Sequence, residues 1–326
     1  MGKKKRNAVL DSIQFFFFML GVRIIRWCSL RGAYRWARFV GWLFYSVDLK
    51  HRNRTIRHIL HSGIVTDRKE AKKLALKSMI HMVKVFVEII KFDQIVNEEN
   101  FYEHIRIADN EGSQKLYNRE TAVQTICATG HIGNWELAGG ALSFTTGLPV
   151  TSIMRPLGNE KLGNFFYKHR CGFGVHKTTS REKGLRPLVL AQKDGHHVAI
   201  VADQHANHNE GVEVTFFGHP ARAHATPALL QLKGGQPLSA PCLFRLDDDF
   251  HFELYTPELF YYTPTGDKDA DVQAICQAYT TTLEKIIRQH PDQWLWAHRR
   301  WLDIERRQAK DYKDGKKIVP EGENAK

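Results

Sequence analysis

From about residue 114 onward, short apolar runs alternate with helical stretches, and this alternation limits the possible folds more than any other feature. The strand-sized runs are Val123–Ala128, Val150–Met154, Val198–Ala202, Glu213–Phe217, Leu238–Arg245 and Phe250–Tyr255. The helical stretches between and after them are Glu160–Arg170, Glu182–Lys193, Thr226–Lys233 and Asp269–His290. Strands that are separated by helices favour a sheet covered by helices. We therefore predict an α/β protein whose layered sheet is flanked by helices.

The region before this alternation is helical. Between Asp67 and Phe92 the apolar residues recur at helical spacing, and Asp67 with Glu70 forms a D-x-x-E pattern typical of a helix N-terminus. We assign this helix a structural role and no chemistry. The predicted organisation is a helical N-terminal region at 1–45, an α/β domain at 46–307 and a mobile charged tail at 308–326.

The N-terminal region combines a basic cluster at 3–6 with four consecutive phenylalanines at 15–18. Its uncharged stretch, Ser12–Val22, is shorter than the roughly 20 residues that a spanning helix needs. Arginines interleaved with tryptophans and tyrosines follow, which is typical of a helix lying in a bilayer interface. A signal peptide and an ordinary buried helix are alternatives. Four adjacent phenylalanines cannot all face one side, so we predict a membrane-associated helix.

The chain has 326 residues, a net charge of +12 and a pI near 9.4. This balance favours an anionic partner, which can be a nucleic acid, an anionic bilayer or an acidic carrier protein. The cysteines are odd in number and scattered, without a C-x-x-C pair: Cys28, Cys127, Cys171, Cys242 and Cys276. This spacing argues against a disulfide framework and against a cysteine-rich zinc site.

The most informative segment is 129–136, which reads T-G-H-I-G-N-W-E and follows the Val123–Ala128 strand. His131 and Glu136 are five residues apart, so they meet only if the chain turns sharply, and Gly130 and Gly133 permit such a turn. A carboxylate bonded to one imidazole nitrogen leaves the other nitrogen to accept a proton from a hydroxyl. The alternative is that His131 only satisfies backbone groups in a tight turn.

This segment resembles the signature of the lipid A biosynthesis acyltransferase family, and its H-x4-D/E pattern is shared with glycerol-phosphate acyltransferases. Further segments agree in order: M-R-P at 154–156, A-D-Q at 202–204, G-V-E-V-T-F-F-G at 211–218, A-T-P-A at 225–228 and W-L-W-A-H-R-R-W at 294–301. The resemblance covers nearly the whole chain. It implies a glycerol-phosphate-acyltransferase-like fold and an enzyme at the cytoplasmic face of the bacterial inner membrane.

The resemblance also implies the reaction and its residues. Acyl carrier protein would donate a fatty acyl chain to a hydroxyl of a lipid A precursor, an anionic glycolipid, without a cofactor or metal. His131 would be the general base and Glu136 its orienting partner. Substrate-binding candidates are Gly133, Asn134, Arg155 and Asp203. Arg155 would bind a phosphate or polarise the thioester, and Asp203 would hold Arg155 or position substrate.

Other functions have weaker support. The sequence contains no H-E-x-x-H pattern for a catalytic zinc and no G-x-S-x-G pattern for a serine hydrolase. No nucleic-acid motif accompanies the basic charge, so we expect no nucleic-acid partner. Three alternatives stay open: another membrane-lipid acceptor, thioester hydrolysis at the same site, and a non-catalytic basic membrane-binding protein.

Overall fold

The computed structural model of the protein describes residues 8–154, 157–169, 174–180 and 184–302. Arg155 and the predicted tail at 308–326 lie outside the described residues. The helices are α1 Ala8–Trp27, α2 Leu30–Val47, α3 Leu49–His61, α4 Arg68–Ile95, α5 Phe101–His104, α6 Glu111–Leu116, α7 Trp135–Thr146, α8 Glu160–His169, α9 Arg186–Lys193, α10 Thr226–Gly234 and α11 Lys268–Gln289. A short 3-10 helix, Pro291–Gln293, follows α11.

The strands form a central sheet, a smaller sheet and a hairpin. They are β1 Ile105–Ile107, β2 Ile126–Thr129, β3 Val150–Met154, β4 His176–Ser180, β5 His197–Val201, β6 Gly211–Phe216, β7 His219–His224, β8 Leu238–Ser239, β9 Cys242–Arg245 and β10 Phe252–Tyr255. The mixture of sheets and covering helices confirms the predicted α/β class.

The central sheet is five-stranded and parallel, in the order β4-β3-β5-β2-β8. β2 and β5 are neighbours in register, with Thr129 opposite Val201. Because parallel strands end at the same edge, the segments that follow Thr129 and Val201 start side by side. This strand order positions the site described below.

The predicted strand Leu238–Arg245 is two strands in two different sheets. β8 joins the central sheet, while β9 pairs antiparallel with β10, which pairs parallel with β1. Pro241 lies between β8 and β9 and has no N–H to donate to a ladder, which explains the break. The remaining sheet, the β6–β7 hairpin, packs against α11.

The N-terminal helices pack on the rest of the molecule through α4. Asp67 caps α4 by accepting from the backbone N–H groups of Lys69 and Glu70, as the D-x-x-E pattern predicts. α2 lies along α4, and Tyr34 of α2 belongs to the same core cluster as Leu137. The division of the chain at residue 45 falls within α2 and stays a prediction.

α1 differs from a core helix in its exposure. It has 20 residues, which at 1.5 Å per residue gives about 30 Å of length. Among the described residues, it is the one helix that is long and apolar enough to cross a bilayer, and little of it is buried. Val22 and Ile25 contact the core, whereas Phe16, Phe17 and Trp27 are exposed.

Candidate active site

The site is centred on His131, just past the carboxyl end of β2. Asp203 follows β5, the neighbouring parallel strand. One oxygen of Asp203 lies 2.8 Å from Nδ1 of His131, and the other accepts the backbone N–H of His131, also at 2.8 Å. Gly130 lets the two segments approach, because a Cβ at this position would lie 3.1 Å from the Asp203 side chain. The adjacent strands thus bring together two predicted site residues.

The contact with Asp203 sets the proton position on the neutral His131 ring. An ionised carboxylate only accepts hydrogen bonds, so Nδ1 carries the hydrogen and Nε2 keeps its lone pair. The Asp203 side chain is fully buried, whereas that of His131 is 16% exposed. The ring therefore presents Nε2, its proton-accepting atom, towards the accessible side of the site.

Asp203 is held as an anion by its neighbours. Burial alone would raise its pKa, but the charge and hydrogen bond of His131, the charge of His298 and the hydrogen bond of Trp294 lower that pKa well below its ordinary value. Trp294 Nε1 donates to Asp203 Oδ2 at 2.8 Å. A buried carboxylate fixed on three sides is suited to stabilise a positive charge on the imidazole.

Glu136 lies in the first turn of α7 and lines the same pocket as His131. Its Oε1 accepts from Nε1 of Trp135 at 2.9 Å, and the Trp135 ring contacts the His131 ring with centroids 5.1 Å apart. The sequence predicts Glu136 as the carboxylate that orients the His131 ring, whereas in the structure Asp203 contacts Nδ1 of that ring. The structure thus places two carboxylates at the site, one buried behind the ring and one in the pocket wall.

Gly133 and Asn134 form the turn between His131 and α7. Gly133 has φ +57°, and a Cβ there would collide with the carbonyl of Leu243 on β9. Asn134 is the N-cap of α7, with its side-chain oxygen accepting from Leu137 N at 3.1 Å. Its side chain is buried, and while the amide oxygen caps α7, the amide nitrogen donates to Glu88.

Gln204 and His298 are two further side chains at the site, and the sequence did not predict either of them as a site residue. The Gln204 amide nitrogen lies 3.5 Å from Nε2 of His131 and 3.4 Å from Nε2 of His298. The rings of His131 and His298 are 4.5 Å apart between centroids. Burial and then the charge of His131 lower the pKa of His298 to about 4, so His298 is neutral near pH 7. The signal in the sequence for these two residues is that they lie in segments that resemble the family, A-D-Q for Gln204 and W-L-W-A-H-R-R-W for His298.

Of the site residues, His131, Trp135, Glu136 and Gln204 border a cavity of about 770 Å³. His131, Glu136 and Gln204 lie on its polar part. Its apolar lining includes Ile153, Ile200, Val212, Leu229 and Val272. A proton acceptor in a cavity whose wall is partly apolar suits a reaction in which a hydroxyl attacks a carbonyl that carries a hydrocarbon chain. Within the described part of the chain, no group of three or more His, Cys, Asp or Glu side chains is arranged to hold a metal.

Comparison with known proteins gives a family match. Residues 1–303 match the profile of the bacterial lipid A biosynthesis acyltransferase family. The phosphatidylinositol mannoside acyltransferase of Mycolicibacterium smegmatis is 32% identical over 183 residues, which cover 54% of this chain and 56% of that protein. The lipid A biosynthesis palmitoleoyltransferase of Escherichia coli is 26% identical over 197 residues, covering 59% and 61%. The matched segment thus spans little more than half the length of these curated relatives.

Proposed function

Because the chain belongs to the bacterial lipid A biosynthesis acyltransferase family, we propose that it transfers a fatty acyl chain from an acyl thioester to a hydroxyl of a lipid A precursor or a related anionic glycolipid. The observation that carries this proposal is the His131–Asp203 pair, whose histidine lines a cavity with a partly apolar wall. The pair supplies a base for the hydroxyl, and the cavity supplies a place for the acyl chain.

In the proposed reaction, Nε2 of His131 takes the proton of the acceptor hydroxyl while that oxygen attacks the thioester carbonyl. The new C–O bond forms, the C–S bond breaks, and the proton passes from the imidazolium to the leaving thiolate. Asp203 stabilises the imidazolium through Nδ1. Gln204, beside Nε2, supplies an N–H group near the point where negative charge develops on the carbonyl oxygen.

The other predicted site residues keep proposed roles. Glu136 lines the cavity together with His131 and is proposed to act with it as a second carboxylate, in addition to Asp203. Gly133 and Asn134 are proposed to shape the turn beside the substrate. Arg155 follows β3, beyond the described residues, and is proposed to bind a phosphate or the thioester carbonyl.

The proposed partners and location are supported by the net charge of the chain and by its exposed apolar surface. A net charge of +12 supports acyl carrier protein, which is acidic, as donor and an anionic glycolipid as acceptor. The exposed apolar α1 supports placement at the cytoplasmic face of the bacterial inner membrane. The helix-covered parallel sheet, with His131 after β2, supports a glycerol-phosphate-acyltransferase-like fold.

The test is acyl transfer in detergent from radiolabelled acyl carrier protein, comparing the wild type with His131→Ala and Glu136→Ala. We expect labelled lipid from the wild type and a loss of roughly 10²–10⁴-fold in His131→Ala, since a positioned base contributes about that much. A matched control is His251→Ala, which removes an exposed histidine bonded to Asp247. Near-normal turnover in His131→Ala would disprove the mechanism.

The acceptor is tested in the same assay. The similarity to a phosphatidylinositol mannoside acyltransferase supports that glycolipid as a second candidate acceptor beside lipid A precursors. Supplying each acceptor alone separates the two, since label should appear in only the true acceptor. Release of free fatty acid without labelled lipid would instead indicate thioester hydrolysis.

A further inference from the structure

A buried ion pair lies directly behind the turn that carries His131. Glu88 of α4 is fully buried and pairs with Nε of Arg245 at the end of β9. Arg245 keeps its charge, because burial, which would lower its pKa, is outweighed by Glu88, which raises it. A buried ion pair contributes little net stability compared with apolar residues of similar volume. Its presence therefore calls for an explanation other than stability.

The pair is connected to the turn through Glu88. Oε2 of Glu88 accepts from the side-chain amide of Asn134 at 2.8 Å, and Oε1 accepts from the Tyr34 hydroxyl at 3.2 Å. The other end of the Asn134 amide caps α7. Glu88 thus orients the N-cap residue that begins α7, two residues before Glu136 and three after His131.

A second connection runs from Arg245 through His81 of α4. Nη1 of Arg245 lies 2.9 Å from Nδ1 of His81, and Nε2 of His81 lies 3.2 Å from the carbonyl oxygen of Gly133. Arginine only donates and a carbonyl only accepts, so the His81 ring is neutral with its hydrogen on Nε2. Burial and then the charge of Arg245 lower the pKa of His81 well below its ordinary value, which agrees with this tautomer.

The same turn is also held by backbone contacts from β9 and the 3-10 helix. Asn134 N donates to Leu243 O at 2.7 Å, and Gly133 N donates to Gln293 O at 2.9 Å. The Gln293 side chain exchanges two hydrogen bonds of 3.0 Å with the backbone of Arg245. The contacts that His81, Glu88, Leu243 and Gln293 make with the turn are therefore all made with Gly133 or Asn134, which lie between His131 and Glu136.

We propose that Glu88, Arg245 and His81 are positioning residues, which fix the Gly133–Asn134 turn and thereby aim His131 and Glu136 into the cavity. Among the described residues that line the cavity, none is Glu88, Arg245 or His81, so the proposed effect of these three on the site runs through the turn. This inference rests on the proposed acyl transfer for its kinetic test, but the geometry of His131 can be measured without any substrate.

The experiment uses two double variants of the full chain that are matched in charge and size. Glu88→Leu/Arg245→Met removes the ion pair and leaves nothing to accept from Asn134. Glu88→Gln/Arg245→Met also removes the ion pair but keeps a side-chain oxygen for Asn134. Replacing both partners leaves no unpaired buried charge, which a single replacement would leave. We expect both variants to fold, as checked by the thermal midpoint and circular dichroism.

We expect kcat to fall on the order of 10²-fold in Glu88→Leu/Arg245→Met, because a misplacement of about 1 Å has that effect, with KM changed less than twofold. In Glu88→Gln/Arg245→Met, kcat should fall by a much smaller factor. The independent readout is the downfield proton resonance of His131 Nδ1–H bonded to Asp203, which should weaken in the Leu/Met variant and persist in the Gln/Met variant.

Equal kcat and equal resonances in the two double variants would overturn the positioning role. If the Leu/Met protein does not fold, His81→Leu replaces it, since this change removes the contact with the Gly133 carbonyl and unpairs no carboxylate. A wild type that folds but transfers no acyl chain would refute the proposed function alone, because the resonance comparison would still decide the positioning role.

Discussion

At the scale of single residues, Asp203 owes its ionised state to the groups that surround it. The two oxygens of this buried carboxylate accept from His131 Nδ1, His131 N and Trp294 Nε1. These hydrogen bonds favour its ionised form. A neutral amide at this position would present an N–H group to Nδ1 and favour the tautomer whose Nε2 already carries a hydrogen. Such a ring cannot accept a proton from a hydroxyl.

Asp203→Asn should therefore lower kcat by roughly 10²–10⁴-fold while the protein still binds its acyl donor. The matched control is Asp247→Asn, since Asp247 contacts Nδ1 of His251 at the same 2.8 Å on the exposed surface. Initial rates at saturating donor measure the effect. A comparable loss in both variants, or none in either, would contradict the role of Asp203 in catalysis.

At the scale of secondary-structure elements, α2 has two different faces. Tyr34, Ala37 and Gly41 face α4 and are buried. Gly41 allows the close approach, because a Cβ there would collide with Ile80. Along the other face the large side chains are solvent-exposed, namely Trp36 at 43%, Phe39 at 58% and Trp42 at 50%. Exposed aromatics in one row on a basic helix are typical of membrane contact.

The triple variant Trp36→Ser/Phe39→Ser/Trp42→Ser should bind anionic vesicles at least about 10-fold more weakly, because each aromatic loses its transfer into the bilayer. Vesicle co-sedimentation measures the change. Tyr102→Ser/Leu190→Ser/Tyr261→Ser removes three equally exposed apolar side chains outside the N-terminal helices and should leave binding unchanged. Similar losses in the two variants would place the membrane surface elsewhere.

At the scale of the whole molecule, buried neutral histidines connect folding to pH. Burial lowers the pKa of His197 to about 4, and burial with the charge of His131 lowers that of His298 to about 4, from an ordinary 6.5. Below 6.5 the unfolded chain binds these protons and the folded chain does not, so acidification favours unfolding. The stability that they contribute is complete above 6.5 and is lost as the pH falls towards 4.

We therefore expect the free energy of unfolding to decrease by about 2 kcal/mol for each of these histidines between pH 7 and pH 5. Urea denaturation at several pH values measures the slope. His197→Gln keeps a polar group near Thr125 and Thr146. It should remove the contribution of one histidine, about 2 kcal/mol, from the change in the free energy of unfolding between pH 7 and pH 5. An unchanged slope in this variant would show that the pKa of His197 is the same in the folded and the unfolded chain.

Much of the fold was accessible to sequence reasoning because local patterns encode it. β3 has the predicted bounds, α10 and α11 differ from prediction by a residue at their ends, and Asp67 caps α4 as expected. The family assignment is likewise confirmed by the match over 1–303. Strands β1, β4 and β7 were not predicted, because β1 has only three residues and H-K-T-T-S and H-P-A-R-A-H contain no large apolar side chain to mark them.

The sequence by itself predicted many of the elements, a sharp turn beside His131 and His131 as the candidate base, since propensity, capping and glycine geometry act over a few residues. Only the tertiary structure decided that the carboxylate at Nδ1 is Asp203, which is 72 positions from His131. That pairing depends on β2 and β5 being adjacent strands, a matter of sheet order. Likewise Glu88 and His81, in a helix to which we assigned no chemistry, reach the turn only because α4 packs behind it.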